Sequence, residues 1–290
     1  MKTTKLLLTA LSIFLFSVYG QAQDPNEFTL DKDYTLGANG HIFVDTQDAE
    51  IEVIGSSRTD VRVKVYRKVT FTGLNLKAKK INLEVEVTQE NGNLYVKDHP
   101  FSWTGIGSSR EVYEILIEAP NTAGLEAKGD DDDYLIKSMN GAISMEISDG
   151  DIALESCNGK SFDFRLDDGD ITMDQGQGNI IARLEDGDIK ILDGDFKKID
   201  IKVEDGNIRL ATKLQDTGEY LLSSDDGSIE LQVESGGGQF NIRHDDGSVR
   251  TSNGFELVSD SEGRSEYRLS GGKAFITIET EDGGVALMEE

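Results

Sequence analysis

Aspartates that could bind a metal ion recur at seven Asp-Gly turns in the second half of the chain, most of them 18–21 residues apart. At the first three pairs the glycine is also followed by an aspartate. The six residues concerned are Asp149, Asp151, Asp168, Asp170, Asp186 and Asp188. Ca²⁺ takes six to eight oxygen ligands, many of them carboxylates, so this pattern predicts calcium binding. The alternative is that each aspartate only caps its turn, since the spacing matches neither the EF-hand loop nor the nonapeptide calcium repeat.

The spacing of the turns indicates a structural repeat. The seven glycines are Gly150, Gly169, Gly187, Gly206, Gly227, Gly247 and Gly283, which are 19, 18, 19, 21, 20 and 36 residues apart. The last step is interpreted as two periods with one copy eroded. Self-similarity at a short fixed period indicates one unit stacked on copies of itself.

Apolar residues alternate with polar ones on both sides of each turn. Ile143, Met145 and Ile147 precede the first turn, and Ile152 and Leu154 follow it. Alternation over short runs is typical of half-buried strands. A second set of glycine-containing corners falls halfway through each period, as at Asn158-Gly159. The sequence therefore predicts an all-β, single-domain β-solenoid (β-helix) with about 18–21 residues and two short strands per rung.

The first half of the chain continues the pattern in looser form. Strands are predicted at residues 41–44, 49–54, 61–65, 81–87, 93–96 and 114–118, the last ending at Pro120 because proline has no N–H to donate. The predicted organisation is a signal peptide at residues 1–22, irregular β rungs at 23–120 and the regular Asp-Gly solenoid at 121–290. No linker separates the last two parts.

The N-terminus predicts export. Lys2 and Lys5 precede an apolar run from residue 6 to 18, and Gly20-Gln21-Ala22 is a small-residue cleavage site. The run is too short for a permanent transmembrane helix. We expect an exported protein, located in the periplasm, at the cell surface or in the medium, without membrane insertion.

The chain is strongly acidic. It has 55 Asp and Glu against 29 Lys and Arg, a formal net charge of −26. This balance argues against nucleic-acid binding, which depends on Lys and Arg contacts to phosphates. Cys157 is the only cysteine, so no intrachain disulfide can form.

The repeats also carry a family resemblance. The strands that end in Ser148-Asp149-Gly150-Asp151-Ile152 and Asp168-Gly169-Asp170-Ile171, with their successors, resemble the putative-adhesin domain family of unknown function. The segment Ile115–Pro120 followed by Leu125–Lys128 resembles that family's approach to its regular rungs. The resemblance covers most of the mature chain and implies a β-helical domain of bacterial envelope or secreted proteins.

The irregular segment from Asp98 to Arg110 is the main candidate for binding a partner. Its Phe101, Trp103 and Ile106 could hold a protein or a carbohydrate, or the loop could instead cover the early rungs. Basic residues between Arg58 and Lys80 could meet the acidic rungs of another copy, which would give end-to-end self-association.

No catalytic residues or cofactors, other than calcium, are predicted. The three histidines, His41, His99 and His244, lack the spacing of a metal site or a catalytic triad. The leading hypothesis is a non-enzymatic, exported solenoid with an acidic surface for adhesion or envelope interaction. The alternatives are a periplasmic scaffold or regulatory protein that binds partners, and a carbohydrate-active enzyme built on a β-helix.

Overall fold

Alternating apolar residues form strands throughout the computed structural model, which describes residues 24, 26–74, 82–99, 106–245 and 247–290. The first nine strands are β1 Glu27–Thr35, β2 His41–Thr46, β3 Glu50–Ser56, β4 Asp60–Leu74, β5 Glu86–Glu90, β6 Asn93–Lys97, β7 Ile106–Pro120, β8 Gly124–Asp131 and β9 Asp133–Lys137. The next seven are β10 Ile143–Asp149, β11 Ile152–Glu155, β12 Ser161–Asp168, β13 Ile171–Met173, β14 Gly176–Asp186, β15 Ile189–Asp205 and β16 Ile208–Lys213. The last eight are β17 Glu219–Asp226, β18 Ile229–Ser235, β19 Gly238–His244, β20 Val249–Thr251, β21 Phe255–Ser261, β22 Arg264–Leu269, β23 Ala274–Asp282 and β24 Val285–Glu289.

The strands form two faces that enclose one core, which confirms the predicted solenoid. The first face runs β5-β6-β2-β8-β10-β12-β14-β15-β17-β23-β19-β22-β21. The second face runs β1-β4-β7-β3-β9-β11-β13-β15-β16-β18-β24-β20, so that β15 contributes to both. Central neighbours are parallel and in register, as in Ile147 beside Leu166. Inward positions predicted from the alternation, such as Ile143 and Ile152, are at most 2% exposed.

The stacking order departs from the chain order at both ends. The C-terminal rung, β23 with β24, lies between the β17–β18 rung and the β19–β20 rung. At the other end, β2 lies between β6 and β8, and β3 lies between β7 and β9. The 36-residue step is therefore not an eroded copy. Residues in that interval form β21 and β22, which pair antiparallel, and the final rung then returns into the stack.

Among the described strands, antiparallel pairs end both faces at the N-terminal end of the stack and the first face at the C-terminal end, whereas β20 ends the second face as a parallel partner of β24. At the N-terminal end β4 pairs antiparallel with β7, β1 with β4, and β5 with β6. At the C-terminal end β22 pairs antiparallel with β19, and β21 with β22. The outermost strands carry charged residues such as Asp31, Glu86 and Glu256, a known device against edge-to-edge pairing. End-to-end association stays a prediction.

Pairing in the first half follows most of the predicted strands. β7 ends at Pro120 as expected, but the strand predicted at 81–87 begins only at Glu86. Residues 1–22, the predicted signal peptide, lie outside the described residues. Within the part of the chain that the structure describes, no helix has the length and apolar character needed to cross a membrane. Cys157 is fully buried, and burial raises the pKa of its thiol to about 11.

Candidate functional site

The aspartates that follow the corner glycines form a ladder between rungs. The backbone N–H of Asp170 donates to Oδ1 of Asp151 at 2.9 Å, and that of Asp188 donates to Oδ1 of Asp170 at 2.8 Å. The ladder begins with Asp151 N–H on Asp133 and continues with Asn207 N–H on Asp188. Each carboxylate thus satisfies a backbone donor of the next rung and keeps its second oxygen for other partners.

The aspartates that precede the corner glycines form a separate exposed column. Asp149, Asp168 and Asp186 are paired in register on neighbouring strands. All six predicted ligands lie in the described part of the chain. One of them, Asp149, forms a cluster with Asp130 and Asp131 in which carboxylate oxygens lie within 4.8 Å of one another. Burial and then these two neighbours raise the pKa of Asp149.

Calcium binding stays a prediction, and a thermal melt can test it. If the corners bind Ca²⁺, millimolar calcium is expected to raise the melting temperature by several degrees where magnesium does not. Asp151→Asn and Asp170→Asn are expected to reduce the calcium shift, because asparagine keeps the Oδ1 acceptor of the ladder but loses the charge. Equal shifts with both ions, or with wild type and variants, would leave the aspartates as turn residues.

Asp132 stands where later rungs have the corner glycine. Its backbone carbonyl oxygen would lie 2.3 Å from a Cβ placed on Gly150. Its side chain is fully buried, and the carboxylate accepts hydrogen bonds from Ala49 N–H at 2.7 Å and Thr46 Oγ1 at 3.0 Å. Those donors belong to the corner between β2 and β3. Asp132 therefore fixes the inserted N-terminal rung, whereas its neighbours Asp131 and Asp133 are exposed.

Gly129 makes the space that this buried carboxylate needs. It is paired in register with Thr46 and with Ile147, and Ile147 points into the core. A Cβ at position 129 would lie 2.0 Å from Oδ2 of Asp132. Position 129 faces inward but is glycine because the carboxylate of Asp132 occupies the space that a side chain would need.

Asp132→Asn is expected to reduce the pH dependence of the free energy of unfolding. Burial raises the pKa of Asp132 to about 7, against the lowering effect of its two hydrogen bonds. The folded chain therefore holds this proton across about pH 4 to 7, so the group's contribution to stability is full below that range and falls as the pH rises through it. Urea unfolding measures the free energy of unfolding near pH 4.5 and near pH 7.5. The decrease between these two pH values is expected to be smaller in the variant than in wild type by more than about 1 kcal/mol.

The control for the pH experiment is Asp163→Asn, which removes a carboxylate from the outer surface of β12. It is expected to keep the wild-type pH dependence. If Asp132→Asn and Asp163→Asn behave alike, Asp132 does not titrate in this range.

A second buried polar cluster surrounds Arg67, which is 1% exposed. Its Nε donates to Glu111 at 2.5 Å, its Nη1 lies 3.5 Å from Asp98, and its guanidinium stacks over the Tyr113 ring at 4.3 Å. The same Nη1 donates to the carbonyl of His99 at 3.3 Å. The contacts to Asp98 and His99 fix the first residues of the segment predicted to bind a partner.

Two of the three residues predicted to bind a partner, Phe101 and Trp103, lie outside the described residues. Ile106 begins β7, where it pairs with Leu74, and its side chain is likewise outside what is described. Partner binding by this loop therefore stays a prediction.

The outer surface of the second face carries a groove of about 750 Å³ that crosses five neighbouring strands, β4, β7, β3, β9 and β11. Its floor follows one in-register row that contains Leu116, Leu135 and Ala153 together with two charged residues. The row runs Lys64, Leu116, Glu52, Leu135, Ala153. The apolar members are half-buried. The groove therefore offers an apolar strip on a solvent-exposed sheet.

A row of carboxylates forms one wall of the groove. Glu114, Glu50 and Asp133 lie on successive strands, Asp151 directly precedes the next strand, and Tyr66 stands at the end of the row beside Glu114. All four acidic residues are exposed. The nearby lysines pair with other acids, Lys64 with Glu118 and Lys137 with Glu52. Among the residues that the structure describes, no ion pair neutralises this row, which continues along the ladder to Asp170 and Asp188.

Sequence reasoning found only part of this site. It identified Asp151 as a corner residue but not the row, because Glu50 and Glu114 join it only through the insertion of β3 between β7 and β9. The available signal was the alternation of Glu50 and Glu52 with buried Ile51 and Val53, which indicates an acidic outer surface.

This chain is similar to several solved structures. A putative adhesin from Bacteroides fragilis NCTC 9343 is 12% identical, with a TM-score of 0.50, over 91% of this chain and 99% of that chain. A putative adhesin from Parabacteroides distasonis ATCC 8503 is 11% identical, with a TM-score of 0.47, over 90% of this chain and 97% of that one. A protein from the same strain described as a putative lipid binding protein is 16% identical, with a TM-score of 0.38, over 91% and 94%.

Among curated proteins none matches this chain. The family model described as Toastrack DUF4097 matches residues 39–288, nearly the whole described solenoid. The match to the family model confirms the family resemblance that the repeats carry. The chain belongs to the Toastrack DUF4097 family.

Proposed function

We propose that this protein is an exported, non-enzymatic β-solenoid that binds a partner at the cell envelope in an adhesion-like role. The observation that carries the proposal is the unneutralised carboxylate row beside the apolar floor of the groove. Such a combination of exposed charge and half-buried apolar surface is typical of a surface that recognises another molecule. The names of two structural relatives, putative adhesins from Parabacteroides distasonis and Bacteroides fragilis, support the same role.

The rigidity of the solenoid suits this function. The groove is built on five hydrogen-bonded strands, so its floor and wall are positioned before a partner arrives. Binding to a preorganised surface avoids the entropic cost of ordering loops. The corner ladder of Asp133, Asp151, Asp170 and Asp188, which shares its first two members with the row, keeps neighbouring rungs in register.

The proposal is tested by locating the protein and measuring its retention on envelopes. Purified protein from residue 23 onward, fluorescently labelled, is expected to bind envelopes of the producing organism saturably, and external protease on intact cells is expected to digest the native protein. Binding with protection from protease would favour the alternative of a periplasmic scaffold or regulatory protein. Absence of saturable binding to any envelope fraction would contradict the proposal, and turnover of an envelope polysaccharide would favour the enzyme alternative.

A further inference from the structure

We propose that the groove on the second face binds a lysine-rich, amphipathic peptide segment of a partner protein. This inference rests on the proposed function and names the chemistry of the partner. Five acidic side chains line the groove, Glu50, Glu52, Glu114, Asp133 and Asp151, against one lysine, Lys64. A ligand must therefore bring positive charge to be complementary.

The arrangement of these charges specifies more than a cation. The four carboxylates of the wall stand on, or directly before, adjacent strands, and neighbouring strands lie about 4.8 Å apart. Unpaired like charges at this spacing repel one another, so a ligand with several cationic groups relieves repulsion along the whole row. A single monovalent cation would neutralise only one position. The row thus fits a ligand with repeated positive groups.

The floor adds an apolar requirement. Leu116, Leu135 and Ala153 lie in one row beside the carboxylates, and Tyr66 closes one end. In an extended peptide, alternate side chains point to opposite sides. A segment that alternates lysine with an apolar residue would place its lysines on the acidic wall and its apolar side chains on the floor.

The length of the groove is suited to a peptide. Five strands span four interstrand spacings, or about 19 Å. An extended chain rises about 3.3 Å per residue, so the groove holds about six residues. The lysine stems add apolar surface that can lie along the floor while their ammonium groups reach the row.

The test measures binding of a defined peptide by fluorescence anisotropy. The probe is a labelled six-residue peptide that alternates lysine and leucine, and it is compared with one that alternates lysine and serine. Wild-type protein is expected to bind the lysine-leucine peptide at least tenfold more tightly, because only that peptide covers the floor. Equal affinity for the two peptides would mean that only net charge is recognised, and would overturn the proposal.

Variants of the row locate the binding. Glu50→Gln, Glu114→Gln and Asp133→Asn together remove three charges, and asparagine at 133 keeps the acceptor for Asp151 N–H. This variant is expected to bind the lysine-leucine peptide at least tenfold more weakly than wild type. The matched control neutralises three acids on the outside of the first face, Glu219→Gln, Glu256→Gln and Glu266→Gln. Equal losses in the two variants would show attraction to the overall charge and overturn the assignment to the groove.

Envelope binding separates this inference from the proposed function. The row variant is expected to lose envelope retention together with peptide binding, while the control keeps both. If the row variant lost the peptide but still bound envelopes as wild type does, the proposed function would stand and the peptide groove would be rejected as its basis. Circular dichroism melts of both variants establish that the solenoid remains folded.

Discussion

Deletion of residues 273–290 is expected to lower the melting temperature by more than about 10 °C and to leave the C-terminal part open to protease. These residues form β23 and β24, which lie between two other rungs and not at the end of the stack. Their loss uncovers the β17–β18 rung on one side and the β19–β20 rung on the other. Each fully buried aliphatic side chain contributes roughly 1.5–3 kcal/mol, and the deleted segment contains Ile276, Ile278 and Leu287 at 0% exposure.

Hydrogen exchange in the intact protein provides a matched measurement. In a stack that follows chain order the last rung would fray first, whereas here the amides of β23 are expected to exchange more slowly than those of β21. β21 is the outermost strand of the first face, and six of its seven residues are exposed. The inserted position of the final rung would be contradicted by faster exchange in β23 than in β21. It would also be contradicted by a truncated protein with the same melting temperature as wild type.

Gly187→Ala is expected to destabilise the protein by about 3 kcal/mol or more, since a strained backbone and a steric clash act together. Gly187 has φ of +132°, a conformation that side chains rarely adopt, and a Cβ there would lie 2.1 Å from the carbonyl oxygen of Gly169. Gly169 stands in the same relation to Gly150. Each corner glycine thus allows the next rung to approach, and chemical denaturation monitored by circular dichroism would measure the loss.

Gly284→Ala is the control for that experiment. Gly284 lies at the last Asp-Gly corner, where the nearest neighbour of an added Cβ is the carbonyl oxygen of Ser248 at 3.6 Å, an ordinary contact. The alanine variant is expected to stay within about 0.5 kcal/mol of wild type. Similar losses at positions 187 and 284 would show that close stacking of glycines is not what the corners require.

The local structure of the solenoid could be predicted because it depends on short-range patterns. Inward residues such as Ile147 and Phe164 follow from period-two alternation, and both are at most 2% exposed. The corners follow from the glycines. The order of the rungs could not be predicted in this way. Gly247 and Gly283 carry the same turn motif, and only the packing of the whole chain places Gly283 against Gly227.

The candidate site escaped prediction for the same reason. Its acidic row draws Glu50, Glu114 and Asp133 from segments that are far apart in the chain, and their adjacency depends on how β3 enters the stack. The buried carboxylate of Asp132 could have been predicted more easily from the sequence. The run Asp131-Asp132-Asp133 aligns with Asp149-Gly150-Asp151. Three residues before Asp132, Gly129 interrupts the inward apolar pattern of β8. Together these two departures indicate a polar group that points inward.

The insertion of both terminal rungs determines the order in which the molecule can be completed. Rungs between residues 124 and 213 pair with neighbours 18–21 residues away, so they can assemble progressively as the chain emerges. β2 pairs with β8 more than 80 residues later in the chain, and β19 joins the stack only through β23. Such distant pairings are slow to form because a long loop must close first. We therefore expect the central rungs to form first and the rungs at the two ends to join the stack last, so that the fold is completed only when the whole chain is present.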